Sequence, residues 1–328
     1  MTTGASAASR AWSLWLVSGW SAAAVLVIEF TFFAILLAPA GDGPHTFANA
    51  SNIGLILKYS GIYGICAIGA AMTIGAGGID LSPGSVIALA SVVVGYLFVS
   101  AGWSLPAACL GGLSVGFAAG AIVAALVNVV RLPPFIATLG MMGIARGVAF
   151  LITEGRYFDL SQRLPADTAP FGVPLGAWPG LLMIVLAVIF EIVMVRTALG
   201  RHILAVGGNE TAARYAGLRV GRVKAFVYIT GGVLSALSGV VLAVVQGQGK
   251  ADMATGYELD IIAAAVIGGA SLSGGRASVV GAVIGSLIFG VLRNALSQIP
   301  GGTFADRLIL GIAVLVIVVM DRVAARRA

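Results

Sequence analysis

Long apolar segments alternate with short polar segments along almost the whole chain. A helix needs about 20 mostly apolar residues to cross the hydrocarbon core of a bilayer. About ten segments meet this requirement. They are approximately 20–40, 53–75, 84–100, 105–130, 134–153, 179–195, 225–246, 257–275, 277–298 and 304–320. The polar intervals between them are too short for a soluble domain. The pattern therefore predicts an all-α, polytopic transmembrane helical bundle.

Composition also indicates a membrane protein. Of the 328 residues, 59% are hydrophobic and only 10% are charged, whereas a soluble domain has about 25% charged residues. The 46 glycines are typical of helices that pack closely in lipid, because small residues let two backbones approach. We therefore expect one integral membrane body at 20–320, surrounded by membrane lipid, between an N-terminal tail at 1–19 and a basic C-terminal tail at 321–328.

The basic residues are distributed unequally between the two sides of the predicted bundle. If the N-terminus is cytoplasmic and every segment crosses, the cytoplasmic side receives most of the 19 Lys and Arg residues. They are Arg10, Arg131, Arg196, Arg201, Arg214, Arg219, Arg222, Lys224, Arg276, Arg322, Arg326 and Arg327. The outer loops receive Arg156, Arg163 and Lys250. This positive-inside bias predicts a bacterial inner-membrane protein with both termini in the cytoplasm. It also explains the net charge of +6 without a nucleic-acid partner.

The segment 257–275 decides whether the two termini lie on the same side. If this segment entered the membrane and returned, the Arg-rich C-terminus would lie outside, against the positive-inside bias. We therefore expect 257–275 to cross fully, with a re-entrant path as the alternative.

One glycine-rich phrase occurs twice. GGIDLSPG, at Gly77–Gly84, and GGASLSGG, at Gly268–Gly275, share the pattern G-G-x-x-L-S-x-G. Both copies lie at predicted inner helix ends, where glycine permits close packing and changes of packing that act as a gate. The positions concerned are Gly77, Gly78, Asp80, Ser82, Gly84, Gly268, Gly269, Ser273 and Gly275. The recurrence suggests an internal repeat, either parallel or inverted, with chance as the alternative.

Two charged residues lie deep within predicted spans. Glu29 is about 13 Å from the start of its span and Arg146 is about 18 Å from the same face. Because an unpaired charge at this depth is costly, we hypothesise that the two form an intramembrane pair. The alternative is that Arg146 binds helix-end carbonyls and Glu29 is protonated. Other charged residues lie near span ends, where they are expected to reach water. They are Lys58, Glu191, Glu258, Asp260, Arg293, Asp306 and Arg307.

The polar interval at 196–224 is the longest on the predicted inner side. Within it, Gly207 and Gly208 interrupt the chain, and Asn209, or alternatively Thr211, is a suitable N-cap for the helix-forming ETAARYA. Gly217 then supplies a C-terminal stop. The interval therefore predicts a short helix outside the lipid, with a face of small residues that docks on another protein. A simple connector is the alternative.

Sequence patterns for catalysis and metal binding are absent. The chain has two cysteines and two histidines, which are not spaced as metal ligands. It also lacks G-x-x-x-x-G-K-[ST], the phosphate-binding loop of an ATPase. We therefore expect no catalytic residues, no cofactor and no enzymatic activity. An ion-gradient-driven transporter or channel for a small polar solute is one alternative function, although only Glu29 offers the deep acid that ion coupling requires. A membrane-embedded enzyme is another.

Four segments together carry a family resemblance. They are GGIDLSPGS, TLGMMGIARGVAFLITEGR, AVGGNETAARYAGLRVGRVK and GYELDIIAAAVIGGASLSGGRASVVGAVIG. In this order they resemble the inner-membrane permease subunits of bacterial ABC importers for monosaccharides such as ribose, xylose, arabinose and galactose. The resemblance covers about 50–320. It implies a many-helix permease that forms the translocation pathway in a pair, as a homodimer or with a paralogue.

The resemblance also implies partners and site residues. A cytoplasmic ABC ATPase would supply energy and a periplasmic sugar-binding protein would deliver the substrate. The family's ATPase-coupling loop corresponds to Gly208, Asn209, Glu210, Ala212, Ala213, Ala216 and Gly217. Candidate pathway residues are Asn128, Asn294 and Ser297, together with Ser82 and Ser273 of the two glycine phrases. Relatives commonly carry Asn-Asn where this chain has Arg293-Asn294, so no particular sugar is carried over.

Overall fold

The computed structural model describes residues 7–38, 47–164 and 177–302, isolated positions between 304 and 315, and side chains from Ala22 onward. Eleven helices are assigned in this part of the chain. They are α1 (Ala7–Leu36), α2 (Ala50–Gly75), α3 (Pro83–Gly95), α4 (Leu105–Asn128), α5 (Pro134–Thr153), α6 (Trp178–Arg196), α7 (Ala198–Gly208), α8 (Glu210–Tyr215), α9 (Val220–Gln246), α10 (Tyr257–Ile267) and α11 (Val279–Gln298). A π-helical turn, Tyr96–Ser100, extends α3, and a 3₁₀ turn, Leu160–Gln162, follows β1. Strands β1 (Tyr157–Asp159) and β2 (Gln248–Lys250) pair antiparallel.

Seven helices in the described residues are long and apolar enough to cross a membrane. They are α2, α3 with its π-helical extension, α4, α5, α6, α9 and α11. Each coincides with a predicted span, so the prediction of a polytopic helical membrane protein is confirmed. The first expected span, 20–40, overlaps α1, which begins at Ala7 rather than near residue 20 and ends at Leu36. Most of the expected span at 304–320, and the whole tail at 321–328, lie outside the described residues. The total of about ten spans and the internal repeat remain predictions.

Glycines bring the central helices into direct backbone contact. A Cβ atom at Gly116 of α4 would lie 2.5 Å from the Cβ of Ala236 and closer still to the carbonyl oxygen of Gly232, both on α9. Only glycine allows this approach, since real Cβ atoms essentially never come within 3.0 Å of a neighbour. The α2 helix is buried on all sides from Ser60 to its end at Gly75. Helix α2 therefore lies at the centre of the bundle, and α4 packs directly against α9.

Two irregular segments interrupt the helical pattern. Residues 76–82 connect α2 to α3, and residues 247–256, which include β2, connect α9 to α10. The segments bring the first turns of α3 and α10 together. A Cβ at Gly84 would lie 2.6 Å from the carbonyl oxygen of Ala254 and closer still to the Glu258 carboxylate.

The expectation that 257–275 forms a spanning helix is wrong. The helix α10 has 11 residues, which corresponds to about 16 Å, and it ends at Ile267. Gly269, Gly274 and Gly275 then adopt positive φ angles, so the chain turns instead of continuing as a helix. The sequence suggested a span because the apolar residues continue past the end of α10.

Candidate functional site

Helix α8 forms as its local sequence predicts. The Oδ1 atom of Asn209 accepts a hydrogen bond from the Ala212 amide at 2.9 Å, which confirms Asn209 as the N-cap. At the other end, Gly217 has φ +83°, and the Leu218 amide donates to the Ala213 carbonyl at 3.0 Å. This bond and the left-handed glycine close the C-terminus of the helix.

Glu210 links α8 to α9. Its carboxylate accepts from Lys224 of α9 at 2.6 Å and from Arg214, one turn along α8, at 3.0 Å. The hydrogen bond from Lys224 is the largest influence on the Glu210 carboxyl, and it holds the pKa below its usual value although partial burial opposes this shift. Glu210 therefore remains charged at neutral pH and fixes the start of α8 against the first turns of α9.

The exposed face of α8 differs from the predicted small face. Ala213 is only 5% exposed because it packs inward against the core. Ala212 and Ala216 are exposed, and Tyr215 beside them is 89% exposed. Ala213 therefore cannot belong to a docking face together with Ala212 and Ala216. The reason is the helical period, because residues one position apart point about 100° away from each other. Sequence reasoning also missed Tyr215, which lies three positions after Ala212, a spacing that places both residues on one face of a helix.

The part of 196–224 that precedes the predicted helix is also helical. Thr197 accepts a hydrogen bond from the Gly200 amide at the start of α7. Ile203 and Val206 are buried, while most of the other side of α7 is exposed or half-buried. The amphipathic period of RHILAV gives the signal that could have predicted this helix.

The two glycine phrases meet at the end of α7. The Gly275 amide donates to the Gly75 carbonyl at 3.0 Å. A Cβ at Gly207 would lie 2.8 Å from the Gly275 nitrogen and closer still to the Gly75 carbonyl oxygen, and a Cβ at Gly274 would lie 3.0 Å from the Cα of Gly77. We call this contact of Gly75, Gly77, Gly207, Gly274 and Gly275 the glycine junction. The phrases were predicted as separate packing sites, and their contact with α7 was not foreseen.

The remaining phrase positions have distinct environments. Asp80 is buried, and its Oδ1 atom accepts from the Ser82 amide at 2.8 Å and the Ser82 hydroxyl at 2.7 Å. This turn precedes α3 and makes both side chains part of the local structure. Gly268 packs directly against the backbone of Gly281 at the start of α11. Ser273 lines a cavity of about 210 Å³ between the glycine junction and Glu210.

Glu29 and Arg146 are not brought together. The Nη1 atom of Arg146 donates to the carbonyls of Ala251 at 2.6 Å and Met253 at 2.7 Å. Arg146 therefore binds backbone carbonyls, as the alternative expected, but they belong to the segment 251–256 and not to a helix end. Helix α1 packs against α11, whereas α5 packs against α3 and α4. Among the described residues, Glu29 is in none of the ion pairs, and its Oε2 atom is buried without a hydrogen-bond partner.

Asp260 and Arg293 form an ion pair inside the bundle. Their side chains lie 2.7 Å apart between α10 and α11, and Arg293 also bonds to the Tyr63 hydroxyl of α2. Asp260 is 6% exposed, so the expectation that it reaches water from a span end is wrong. The ion pair compensates both charges, which lets them remain within the helices. Sequence spacing gave no signal for this pair, because its members are 33 positions apart.

The candidate pathway residues Asn128, Asn294 and Ser297 bond to the protein itself. Asn294 and Asn52 exchange side-chain hydrogen bonds at 2.8 and 2.9 Å. Ser297 donates to the Asn294 carbonyl of its own helix, and Asn128 joins α4 to α9 through the Gly221 carbonyl at 2.9 Å. These contacts show a structural role for each residue and leave a pathway role as a prediction. Among the residues whose side chains are described, no cluster of three His, Cys, Asp or Glu side chains gathers as a metal site.

Residues 52–319 match the family model described as branched-chain amino acid transport system / permease component. The chain belongs to this permease family. The ribose import permease protein RbsC of Escherichia coli strain K12 is 34% identical over 294 residues, covering 88% of this permease and 90% of the relative. RbsC of Bacillus subtilis strain 168 is 36% identical over 282 residues, covering 84% and 86%. The D-allose transport system permease protein AlsC of Escherichia coli strain K12 is 34% identical over 304 residues, covering 90% and 92%.

These relatives confirm the predicted class of protein. The permease is a transport component, as the resemblance implied, and the alternative of a membrane-embedded enzyme is not supported. No solved structure matches this permease.

One surface of the permease is polar and irregular at membrane depth. Arg146 lies about 18 Å along α5, so the segment 251–256 that it binds lies well inside the level of the spans. Asp252 and Thr255 of this segment are exposed. Beside Arg146, α5 exposes Gly143 and Gly147, where an added Cβ atom would meet no neighbour within 4 Å. Irregular backbone at this depth occurs only where it is covered by protein or lines a water-filled cavity.

Proposed function

We propose that this permease forms the translocation pathway of an ATP-driven importer for a monosaccharide in the bacterial inner membrane. The observation that carries the proposal is the identity of about one third over almost the full length of permeases named for ribose and D-allose. Ribose and allose are both monosaccharides, although the family model is named for branched-chain amino acids. The pathway of such an importer only needs weak polar contacts, because a binding protein selects the substrate.

The pathway runs along the surface formed by 251–256 and the exposed glycines of α5. Exposed Asp252 and Thr255 are unsuited to lipid, and the unfilled space at Gly143 and Gly147 allows another helix or a solute to approach. A second permease copy, identical or paralogous, covers this surface and completes the pathway. A periplasmic sugar-binding protein delivers the substrate at the opposite side from α8. Asn294 and Ser297 lie near the end of α11, on the side where that delivery takes place.

Helix α8 is the contact with a cytoplasmic ABC ATPase, which supplies the energy. Asn209 and Glu210 hold α8 rigidly, and Ala212, Tyr215 and Ala216 offer an exposed face. Force on α8 passes to α7, whose end forms the glycine junction with the segments beside α2 and α11. The basic residues of 196–224 support the cytoplasmic orientation of this loop. Cytoplasmic termini belong to the same proposal. They are supported by the bond from the Gly275 amide to the Gly75 carbonyl beside α7, because 247–275 then still carries the chain back to the α7 side although it is not one helix.

Reconstitution in proteoliposomes tests the proposal. The permease is combined with the ATPase and binding protein that co-purify from its native host, and uptake of labelled ribose, allose and leucine is compared. We expect uptake of a monosaccharide that requires ATP and is unchanged by a protonophore. Ala212→Arg should abolish uptake but preserve membrane insertion, whereas Arg156→Ala, far from α8, should transport normally. Uptake that collapses with a protonophore at constant ATP, or that accepts leucine alone, would refute the proposal.

A further inference from the structure

A basic cavity of about 720 Å³ lies between the α4–α5 connection and the α8–α9 connection. Its charged lining consists of Arg131, Arg214, Arg219, Arg222, Lys224 and Glu210. Five cations thus face one carboxylate. A cavity with this excess of positive charge favours an anionic ligand, since Arg in particular presents paired donors that match phosphate oxygens.

Three of the cations are not neutralised within the protein. Glu210 pairs with Arg214 and Lys224. In contrast, Arg131, Arg219 and Arg222 belong to none of the ion pairs formed in the described parts of the chain. Arg131 also adopts φ +63°, which is uncommon for a residue other than glycine. Such backbone strain concentrates at binding sites, where the surrounding structure enforces it.

Exposed apolar residues adjoin the lining of the cavity in sequence, at the end of the spans. Helix α4 has 24 residues and is about 36 Å long, so its end at Asn128 reaches the level of the lipid headgroups. Val129, which follows the lining residue Asn128, is 79% exposed, and Phe135, which follows the lining residue Pro134, is 51% exposed. We call these two residues the apolar rim. A ligand that combines an anionic group with hydrocarbon would satisfy both the cations inside the cavity and the apolar side chains at its rim.

We propose that this cavity binds the phosphate headgroup of an anionic phospholipid of the inner leaflet, with the acyl chains beside Val129 and Phe135. Basic pockets between spanning helices on the cytoplasmic side are suited to such headgroups. An acidic segment of a partner protein would match the cations, but it would leave the apolar rim exposed to water. The lipid site requires only a membrane-spanning chain in the expected orientation, so it does not depend on the transported solute.

Binding is measured on the purified, detergent-solubilised permease by native mass spectrometry and thermal unfolding. The probes are dioleoylphosphatidylglycerol, dioleoylphosphatidylcholine, glycerol phosphate and inorganic phosphate. We expect phosphatidylglycerol to bind more tightly than phosphatidylcholine and to raise the unfolding temperature. The double variant Arg219→Gln/Arg222→Gln should lose about thirtyfold in phosphatidylglycerol affinity, whereas Arg156→Gln, at the other end of the spans, should retain it.

A second variant separates the lipid from a free anion. Val129→Ser/Phe135→Ser should weaken phosphatidylglycerol binding and leave glycerol phosphate unaffected. Three results would overturn the proposal. The first is equal affinity for the two lipids, and the second is inorganic phosphate binding as tightly as phosphatidylglycerol. The third is unchanged lipid affinity in the double Arg variant, including the case in which that variant loses affinity for the ATPase instead.

Discussion

The glycine junction yields the sharpest test of the structure, through the substitution Gly207→Ala. The added Cβ would lie 2.8 Å from the Gly275 nitrogen and closer still to the Gly75 carbonyl oxygen, whereas ordinary van der Waals contact begins at 3.4 Å. Both neighbours are backbone atoms, so relief requires a helix or a turn to move. Overpacking of this kind costs about 1–3 kcal/mol. The higher helix propensity of Ala recovers at most about 1 kcal/mol, so a cost at the upper end of this range leaves a net destabilisation of at least about 2 kcal/mol.

Gly208→Ala is the matched control. It makes the same chemical change one residue later on α7, but its Cβ would meet its nearest neighbour, the Cα of Gly275, at an ordinary 3.8 Å. We expect Gly207→Ala to unfold at lower temperature and to lose ATP-dependent uptake in proteoliposomes, and Gly208→Ala to match the wild-type permease in both assays. If Gly207→Ala also matched the wild type, the two glycine phrases would not be in backbone contact with α7.

Three further substitutions test separate contacts. Glu210→Gln should loosen α8. Because the folded-state pKa of Glu210 is lowered, its stabilisation is complete above the usual value of 4.5 and is lost as the pH falls through the lower folded value. The protection of the α8 amides against hydrogen exchange, corrected for the intrinsic exchange rate at each pH, should therefore fall in acid for the wild type and be independent of pH in the variant; parallel profiles would contradict this. Asp260→Ala should destabilise by about 3–5 kcal/mol, and Asp260→Ala/Arg293→Leu by less, because the single change leaves a buried charge unpaired. Equal unfolding midpoints for the two variants would disprove the buried pair. Tyr215→Ala should weaken ATPase binding about tenfold or more, measured by titration of the two purified components, while exposed Tyr157→Ala should not. Equal affinities would remove Tyr215 from the docking face.

Hydropathy and local capping predicted much of the fold. Seven predicted spans coincide with helices, because the thickness of the bilayer imposes a length that can be counted along the sequence. The N-cap at Asn209 and the helix stop at Gly217 were equally predictable from the sequence, since both depend on hydrogen bonds within one turn. The resemblance of four segments to sugar importers also identified the permease class.

Contacts between distant segments were not predictable in this way. The glycine junction joins Gly75, Gly207 and Gly275, which no periodicity relates. The pairing of Asp260 with Arg293 also depends on how α10 and α11 pack, and hydropathy placed both residues near water. The hypothesis of a Glu29–Arg146 pair rested on the similar depths of the two residues along their helices. It failed because α1 and α5 pack in different parts of the bundle.

The small sheet at the ends of α5 and α9 restricts how the proposed pathway opens. Strand β1 follows α5 and strand β2 follows α9, and Tyr157 pairs with Lys250 across them. The segment 251–256 starts directly after β2 and is bound a second time by Arg146 of α5. The pairing of β1 with β2 and the hydrogen bonds of Arg146 therefore hold α5 and this segment together as one rigid unit. If two permease copies face each other as proposed, a rigid unit of this kind admits a solute only by moving away from the facing copy, so the pathway widens between the two copies and not within one.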